Sequence, residues 1–279
     1  MCFCLISFIN GCLWFLEMIF ESKCIEYETK NKVGYITLNR PVVNAFSVPM
    51  VEKLAMVLDY AEKDYGVKVV VLSGSGRYFS TGMDLKEVDV FNVELVSEIQ
   101  RFKFNPVAAK LYYFSKPLIC ELNGVAAGAG LGFALGCDLL YSYYADEKNC
   151  GKLVFDTINK GLLFACGGSY LLVEKGERMR AQEILFFGET LDAKRGLEEK
   201  LVRGVYSSKE ELHEQVILKA EDLAAKSGSV LSGIKQALRA GSSRDDCKFE
   251  TYLEREVGLQ RKCLESEEFQ EAMKMFRRR

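Results

Sequence analysis

Histidine is almost missing from this chain. Among 279 residues there is one, His213, in a charged, helix-like segment where a solvated surface position is expected. A metal site built on imidazole, or a Ser-His or Cys-His couple, has almost nothing to draw on. Cysteine is plentiful, with 10 copies, but no two form a C-x-x-C pair and no zinc spacing occurs. No metal is expected. Cys120, Cys137 and Cys166 fall inside apolar runs, the usual setting of free buried thiols, which points to an intracellular, reducing compartment. Excess charge is missing too. The formal net charge is −2, which gives no electrostatic case for nucleic acid, although a local basic patch for phosphate stays open.

Signals for export or membrane insertion are also weak. Residues 1–17 read MCFCLISFINGCLWFLE, apolar and uncharged until Glu17. A secretory leader opens with basic residues and closes on a small-residue cleavage site, and a mitochondrial presequence is basic and amphipathic. Neither pattern is met, and the run is short for a membrane span. The segment is expected to be an extension outside the fold, with a membrane anchor or targeting signal as the alternative. The terminal Arg277-Arg278-Arg279 is not a peroxisomal S-K-L address.

What the chain does contain is an apolar half and a mean hydropathy near zero, enough for a large core. Ile25–Glu28 and Val33–Leu38 read as strands around a polar turn. Ser47 is placed to cap a helix with Pro49 in its first turn, running to about Tyr65 with Val51, Leu54, Ala55, Leu58 and Ala61 on one face. A buried-type strand follows at Lys68–Ser73, then the loop GSGRYFSTGMDLKEV. The stretch Lys116–Cys137 opens as an apolar strand, Leu118–Leu122. It turns at Asn123-Gly124 and runs through Gly128, Gly130 and Gly132 into a helical pattern. Beyond Tyr141 the chain looks irregular; Arg178–Phe186 is helical and Leu201–Tyr206 a short strand. From Ser208 onward the pattern is helical and charged. The division is a core over residues 18–206 and a C-terminal helical region over 207–279, in the α/β class.

Strand, glycine loop and helix N-terminus together present bare backbone N–H groups to an anion. Phosphate templates fail on this stretch. No G-x-x-x-x-G-K-[ST] string exists, and Phe133 stands where the dinucleotide fingerprint needs its third glycine. The nucleophile elbow G-x-S-x-G is absent. A second loop, Ser80-Thr81-Gly82-Met83-Asp84-Leu85-Lys86, again puts a glycine at an expected strand-to-helix switch. Two such loops can converge on one oxygen, as acyl chemistry requires; close helix–strand packing is the plainer reading of the glycines.

Asn44–Phe46, the run FSTGMDLKE at Phe79–Glu87, NGVAAGAG at Asn123–Gly130 with Cys137-Asp138, Gly167-Gly168 and the segment Ile184–Val202 together resemble the crotonase family, the enoyl-CoA hydratase/isomerase superfamily. The resemblance runs from about Ile25 to Lys226. It implies a crotonase-like core of repeated ββα turns with a C-terminal helical subdomain, assembled as a homotrimer or hexamer. It implies an acyl-CoA thioester as ligand, in the chemistry of fatty-acid β-oxidation, with no cofactor beyond the CoA carried by the substrate. By motif, the N–H groups of Met83 and Gly130 would form an oxyanion hole. Ala45 and the stretch Gly82, Met83, Asp84, Leu85 and Lys86 would bind substrate beside Gly130. Arg277, Arg278 and Arg279 either meet CoA phosphates or form a solvated tail.

The same resemblance exposes what is missing. Hydratases of the family use two glutamates; their positions here hold Gly132 and Thr157. The peroxisomal type of delta-3,delta-2-enoyl-CoA isomerase places its glutamate where this chain has Ala165. Asp156, one residue from an expected site, is the candidate base. Glu121 is a weaker candidate, read as a solvent group at a strand end, and Cys150 and Cys166 lack a basic partner. Two functions follow: an enoyl-CoA isomerase with an unusual acid, or an acyl-CoA-binding or structural paralogue that has lost the glutamates. The resemblance leans to the isomerase, and leaves mitochondrion and peroxisome both open.

Overall fold

The computed structural model describes residues 23–242 and 249–277; the extension at 1–17 and Arg278-Arg279 lie outside the described residues. The chain begins with two antiparallel strands, β1 (Ile25–Lys30) and β2 (Val33–Leu38), then helix α1 (Val48–Lys63). Ser47 caps α1 by accepting from the Met50 N–H, with Pro49 in the first turn. Strand β3 (Val69–Gly74) enters the same sheet and β4 (Tyr78–Ser80) a second one. After helices α2 (Val93–Ile99) and α3 (Asn105–Tyr113), joined by a π-turn at Gln100–Phe104, the chain repeats the move. β5 (Leu118–Leu122) joins the first sheet, β6 (Val125–Ala127) the second, and α4 (Gly128–Gly136) follows. β7 (Leu139–Tyr143) and β8 (Lys152–Val154) do so once more, ahead of a 3-10 turn at Asp156–Lys160.

The remaining core elements are α5 (Gly168–Lys175), α6 (Arg178–Phe187), β9 (Thr190–Asp192), α7 (Ala193–Glu198) and β10 (Gly204–Tyr206). The first sheet has the order β1-β2-β3-β5-β7-β10 and the second β4-β6-β8-β9. Among the described strands only β1–β2 and β8–β9 pair antiparallel. The C-terminal helices are α8 (Lys209–Ala225), α9 (Gly228–Ser242), α10 (Phe249–Leu264) and α11 (Glu267–Arg277).

The central strands are apolar throughout because both faces of the sheet are covered. Val70, Leu72, Leu118, Cys120 and Leu122 face the main core; Val69, Val71 and Ile119 face the other side. That side is closed by Leu212, Val216, Ala220 and Ala224 of α8, so the helical region begins by roofing the sheet.

Three expectations need correction. No helix follows Gly82-Met83: the chain turns through Asp84–Val90 and the next helix starts only at Val93, where Asn92 accepts from the Leu95 N–H. The glycine stretch after Asn123 is not a loop. It is strand β6 followed by α4, whose first five residues carry Gly128, Gly130 and Gly132. Glu121 is not a solvent group but is 7% exposed, and its Oε2 lies 3.1 Å from Nδ1 of the surface residue His213 on α8. Burial raises its pKa against the pull of His213. The turn pattern between 84 and 90 lacks a run long enough to nucleate a helix, and the β6 signal is three residues long.

Candidate active site

Backbone contacts place the two glycine segments against each other. At the end of β4, Ser80 Oγ donates to the Asn44 carbonyl at 2.7 Å and accepts from the Gly82 N–H at 3.2 Å. The Phe46 N–H donates to the Gly82 carbonyl at 2.7 Å, and the Asp84 N–H donates to the Phe46 carbonyl at 2.9 Å. Met83 is thus paired with Phe46 in a parallel bridge. In that pattern the middle residue's own N–H points away from its partner strand, so the Met83 N–H is turned off Phe46. Gly82 has φ +87, and a Cβ there would fall 2.8 Å from the Ala129 N and 3.0 Å from the Ala127 carbonyl oxygen. Gly130 is equally tight, with a Cβ position 2.5 Å from the Ser80 carbonyl oxygen. Only glycine allows both approaches.

Helix α4 opens at this contact without a side-chain cap, because its N-cap residue is Ala127. The N–H groups of a first helical turn have no intrahelical acceptor and sit at the positive end of the dipole. Those of Gly128, Ala129 and Gly130 are such groups. Ala127, Gly128, Ala129 and Met83 line one wall of a cavity of about 670 Å³. Gly82 and Gly130 are not on that wall; they set the contact behind it.

At one side stand Ala45, Asp84, Leu85, Lys86 and Arg40. Arg40 Nη1 donates to the Ala45 carbonyl at 2.9 Å and to Asp84 Oδ2 at 2.8 Å, and its Nη2 donates to Glu87 at 2.6 Å. Burial works against ionisation of Asp84, but the Lys86 N–H and the Arg40 guanidinium outweigh it and hold its carboxyl below the usual range. The remaining wall is largely apolar, with Val96, Phe104, Leu162, Leu163 and Ala165 on it.

Asp156 is on the wall, and its Oδ1 lies 2.6 Å from Nζ of Lys160, which also lines the cavity. Oδ1 has no aligned hydrogen-bond donor, so the contact is an ion pair. Thr157 and Ala165 are wall residues without a carboxylate. Gly132 faces the neighbouring turn: a Cβ there would meet the Ala165 carbonyl oxygen at 3.1 Å and Cys166 Cβ at 3.3 Å. Cys166 lines the cavity, and burial pushes its thiol well above the ordinary value. Burial raises the Cys150 thiol as well, so neither favours the thiolate form a nucleophile needs.

One acid escapes sequence reasoning. Glu256 on α10 is 1% exposed. Its Oε2 accepts from the Gly167 N–H at 3.2 Å and from Gln100 Nε2 at 3.5 Å. Its Oε1 has no hydrogen-bond partner among the described residues. Burial pushes its pKa to about 7, against the N–H groups of Gly167 and Cys166, the Tyr252 hydroxyl and Gln100. Gln260, one turn on, lines the cavity and accepts from the Leu163 N–H at 2.9 Å. A signal was available: Glu256 and Gln260 share the buried face of α10 with Leu253, Val257 and Leu264, and a polar pair on an apolar stripe is informative. Among the described residues no cluster of acidic, Cys or His side chains could hold a metal ion. None of the described helices is long and apolar enough to cross a membrane.

Comparison with known proteins agrees with this architecture. The family model for enoyl-CoA hydratase/isomerase matches residues 28–279. The 1,2-epoxyphenylacetyl-CoA isomerase of Escherichia coli (strain K12) is 32% identical over 246 residues, covering 86% of this chain and 90% of that protein. The trans-2-decenoyl-[acyl-carrier-protein] isomerase of Streptococcus mutans is 29% identical, covering 92% of this chain and 95% of that protein. The crystal structure of an enoyl-CoA hydratase/isomerase from Xanthobacter autotrophicus Py2 superposes with a TM-score of 0.79 at 27% identity, covering 92% and 93% of the two chains. With its alternating ββα turns, its glycine-packed loop contact and a family match over nearly its whole length, the chain belongs to the enoyl-CoA hydratase/isomerase family and has the crotonase fold.

Proposed function

We propose that the protein is an enoyl-CoA isomerase that moves a double bond through a thioester enolate. The observation that carries this reading is the meeting of the uncapped α4 N-terminus with the outward Met83 amide at an apolar cavity. The thioester oxygen accepts from the Met83 N–H on the wall and from the Gly130 N–H in the first turn of α4 just behind it, and the acyl chain lies along the apolar wall. Removing the C2 proton drives the electron pair onto that oxygen; protonation at C4 returns it and completes the shift. Each donor to such an oxyanion is typically worth about 2.7–4 kcal/mol of barrier. Asp156 is the wall carboxylate available to take the C2 proton, and Ala45 and Asp84–Lys86 border the CoA arm, with Gly82 setting the backbone contact behind them. Two relatives whose names carry isomerase activity support this choice, beside others named as hydratases. So does the loss of both hydratase acids, at Gly132 and Thr157. The functional assembly is a homotrimer or hexamer in a reducing, intracellular compartment.

A second reading is an acyl-CoA-binding paralogue without turnover, favoured by the absence of a carboxylate at 132, 157 and 165. Conversion of a 3-enoyl-CoA to its conjugated 2-enoyl isomer, followed by absorbance, decides between them. Asp156→Asn should lower the rate about 10²-fold or more, the usual worth of a general base. An unchanged rate removes Asp156 from the mechanism. Absent turnover with acyl-CoA binding retained favours the paralogue.

A further inference from the structure

An allylic shift moves protons at two carbons, and the family positions that would serve them hold Gly132, Thr157 and Ala165. Of the carboxylates on the cavity wall, Asp84 is tied to Arg40 and Asp156 to Lys160. Glu256 is different in kind. It lies just behind the wall, between residues that form it: Gln100 touches its Oε2, and the Cys166–Gly167 turn packs on the same carboxyl. Among the described residues no aligned donor reaches Oε1, although the Tyr252 hydroxyl and the Cys166 N–H bear on the same carboxyl. A buried carboxyl with an idle oxygen is costly unless it is neutral or in use.

We infer that Glu256 is a second acid–base group of this site, reached past Gln100 and Cys166, which hands a proton to C4 of the acyl unit while Asp156 takes the one at C2. This rests on the isomerase reading above. The contact to Gln100 is the longer of the two measured ones at Oε2, 3.5 Å against 3.2 Å, and Gln100, unlike Gly167, itself lines the cavity. In the step, the C2–H bond breaks toward Asp156 and its electron pair enters the thioester as a dienolate. A new C4–H bond forms with the proton of Glu256. Asp156 ends protonated and Glu256 ionised, and exchange with solvent resets both. The site's electrostatics suit the role. Burial holds a large share of Glu256 protonated near neutral pH. The titratable groups beside it, Tyr252 from its own helix and the raised Cys166 thiol from the facing turn, are uncharged there.

The experiment follows a 3-enoyl-CoA deuterated at C2 through turnover by the intact protein. Two separate groups predict that C4 receives its hydrogen from solvent, with essentially none of the C2 label transferred. Glu256→Gln keeps the shape and should cost about 10²-fold or more in kcat. It should also abolish the fall in kcat/KM above pH 7, with acyl-CoA affinity changed less than about threefold. Substantial label transfer from C2 to C4 by the wild-type protein overturns the inference whether or not the variant folds. So does a Glu256→Gln protein with wild-type rate and pH profile. In both cases the isomerase reading stands. A wild-type protein that binds acyl-CoA without turnover, or does not bind it, defeats that reading first and this one with it.

Discussion

The Cβ that a side chain at residue 132 would carry falls 3.3 Å from Cys166 Cβ and 3.1 Å from the Ala165 carbonyl oxygen. The turn at 165–166 therefore stands where a hydratase acid would have to emerge. A side chain at 132 and the present packing of that turn compete for one space.

Gly132→Glu should consequently gain no hydration of a 2-enoyl-CoA. Gly132→Ala alone should destabilise the fold by about 1–3 kcal/mol, the usual cost of overpacking. Hydratase assays and thermal denaturation check the pair; measurable hydration by Gly132→Glu would show that the turn yields.

Ser80 is the hinge pin of the proposed oxyanion site, since its hydroxyl joins the Asn44 carbonyl to the Gly82 N–H. Ser80→Ala leaves both groups without that partner in a buried place, and should cost about 1–3 kcal/mol of stability. A displacement of the Met83 amide by about 1 Å is enough to lower kcat about 10²-fold. Stopped-flow binding of acyl-CoA beside steady-state rates separates loss of turnover from loss of affinity.

Glu256 makes stability depend on pH in an unusual direction. Its pKa rises from 4.5 in the unfolded chain to about 7 in the fold, so between those values the native state binds the extra proton. Its contribution is fully present below the unfolded pKa and is lost as pH rises through about 7. Ionising it costs on the order of 3 kcal/mol. Glu256→Gln, which cannot ionise, should raise the denaturation midpoint at pH 8 and change it little at pH 4. Urea titrations at the two pH values test this; equal shifts at both would place the cost elsewhere.

Asp84 behaves oppositely. Its carboxyl is held low, so its pairing with Arg40 stabilises the fold above the ordinary carboxylate pKa and is lost as pH falls through the depressed one. The pair is partly exposed, with side-chain accessibilities of 29% and 15%, and a screened value of about 1 kcal/mol is appropriate. Arg40→Leu should destabilise by about that much at pH 7 and by less at pH 3, as read by chemical denaturation. A deficit that grows on acidification contradicts the assignment.

Much of the fold is written locally. β2 at Val33–Leu38, the Ser47 cap, β5 at Leu118–Leu122 and the Ser208-capped α8 follow from alternation, capping and apolar runs, which need no distant partner. The short strands β4, β6 and β8 are three residues each. They exist because they pair with one another, so no local pattern announces them. Helices α2 and α3 also went unannounced, their apolar positions interrupted by Gln100 and Asn105, both of which are buried by tertiary packing.

The sequence by itself determined the family, the glycines at 82, 128, 130 and 132, and the residues without a carboxylate at 132, 157 and 165. Those are matters of residue identity at fixed spacing. Only the tertiary structure decided which groups share the cavity. It put the Met83 loop against the first turn of α4, tied Asp156 to Lys160, and buried Glu256 of α10 behind Gln100, 156 residues away in the chain. Burial sets the proton affinity of a carboxyl, and burial is a property of neighbours brought from elsewhere in the fold. A glutamate in a charged C-terminal helix reads as solvated until the helix is laid against the Cys166–Gly167 turn.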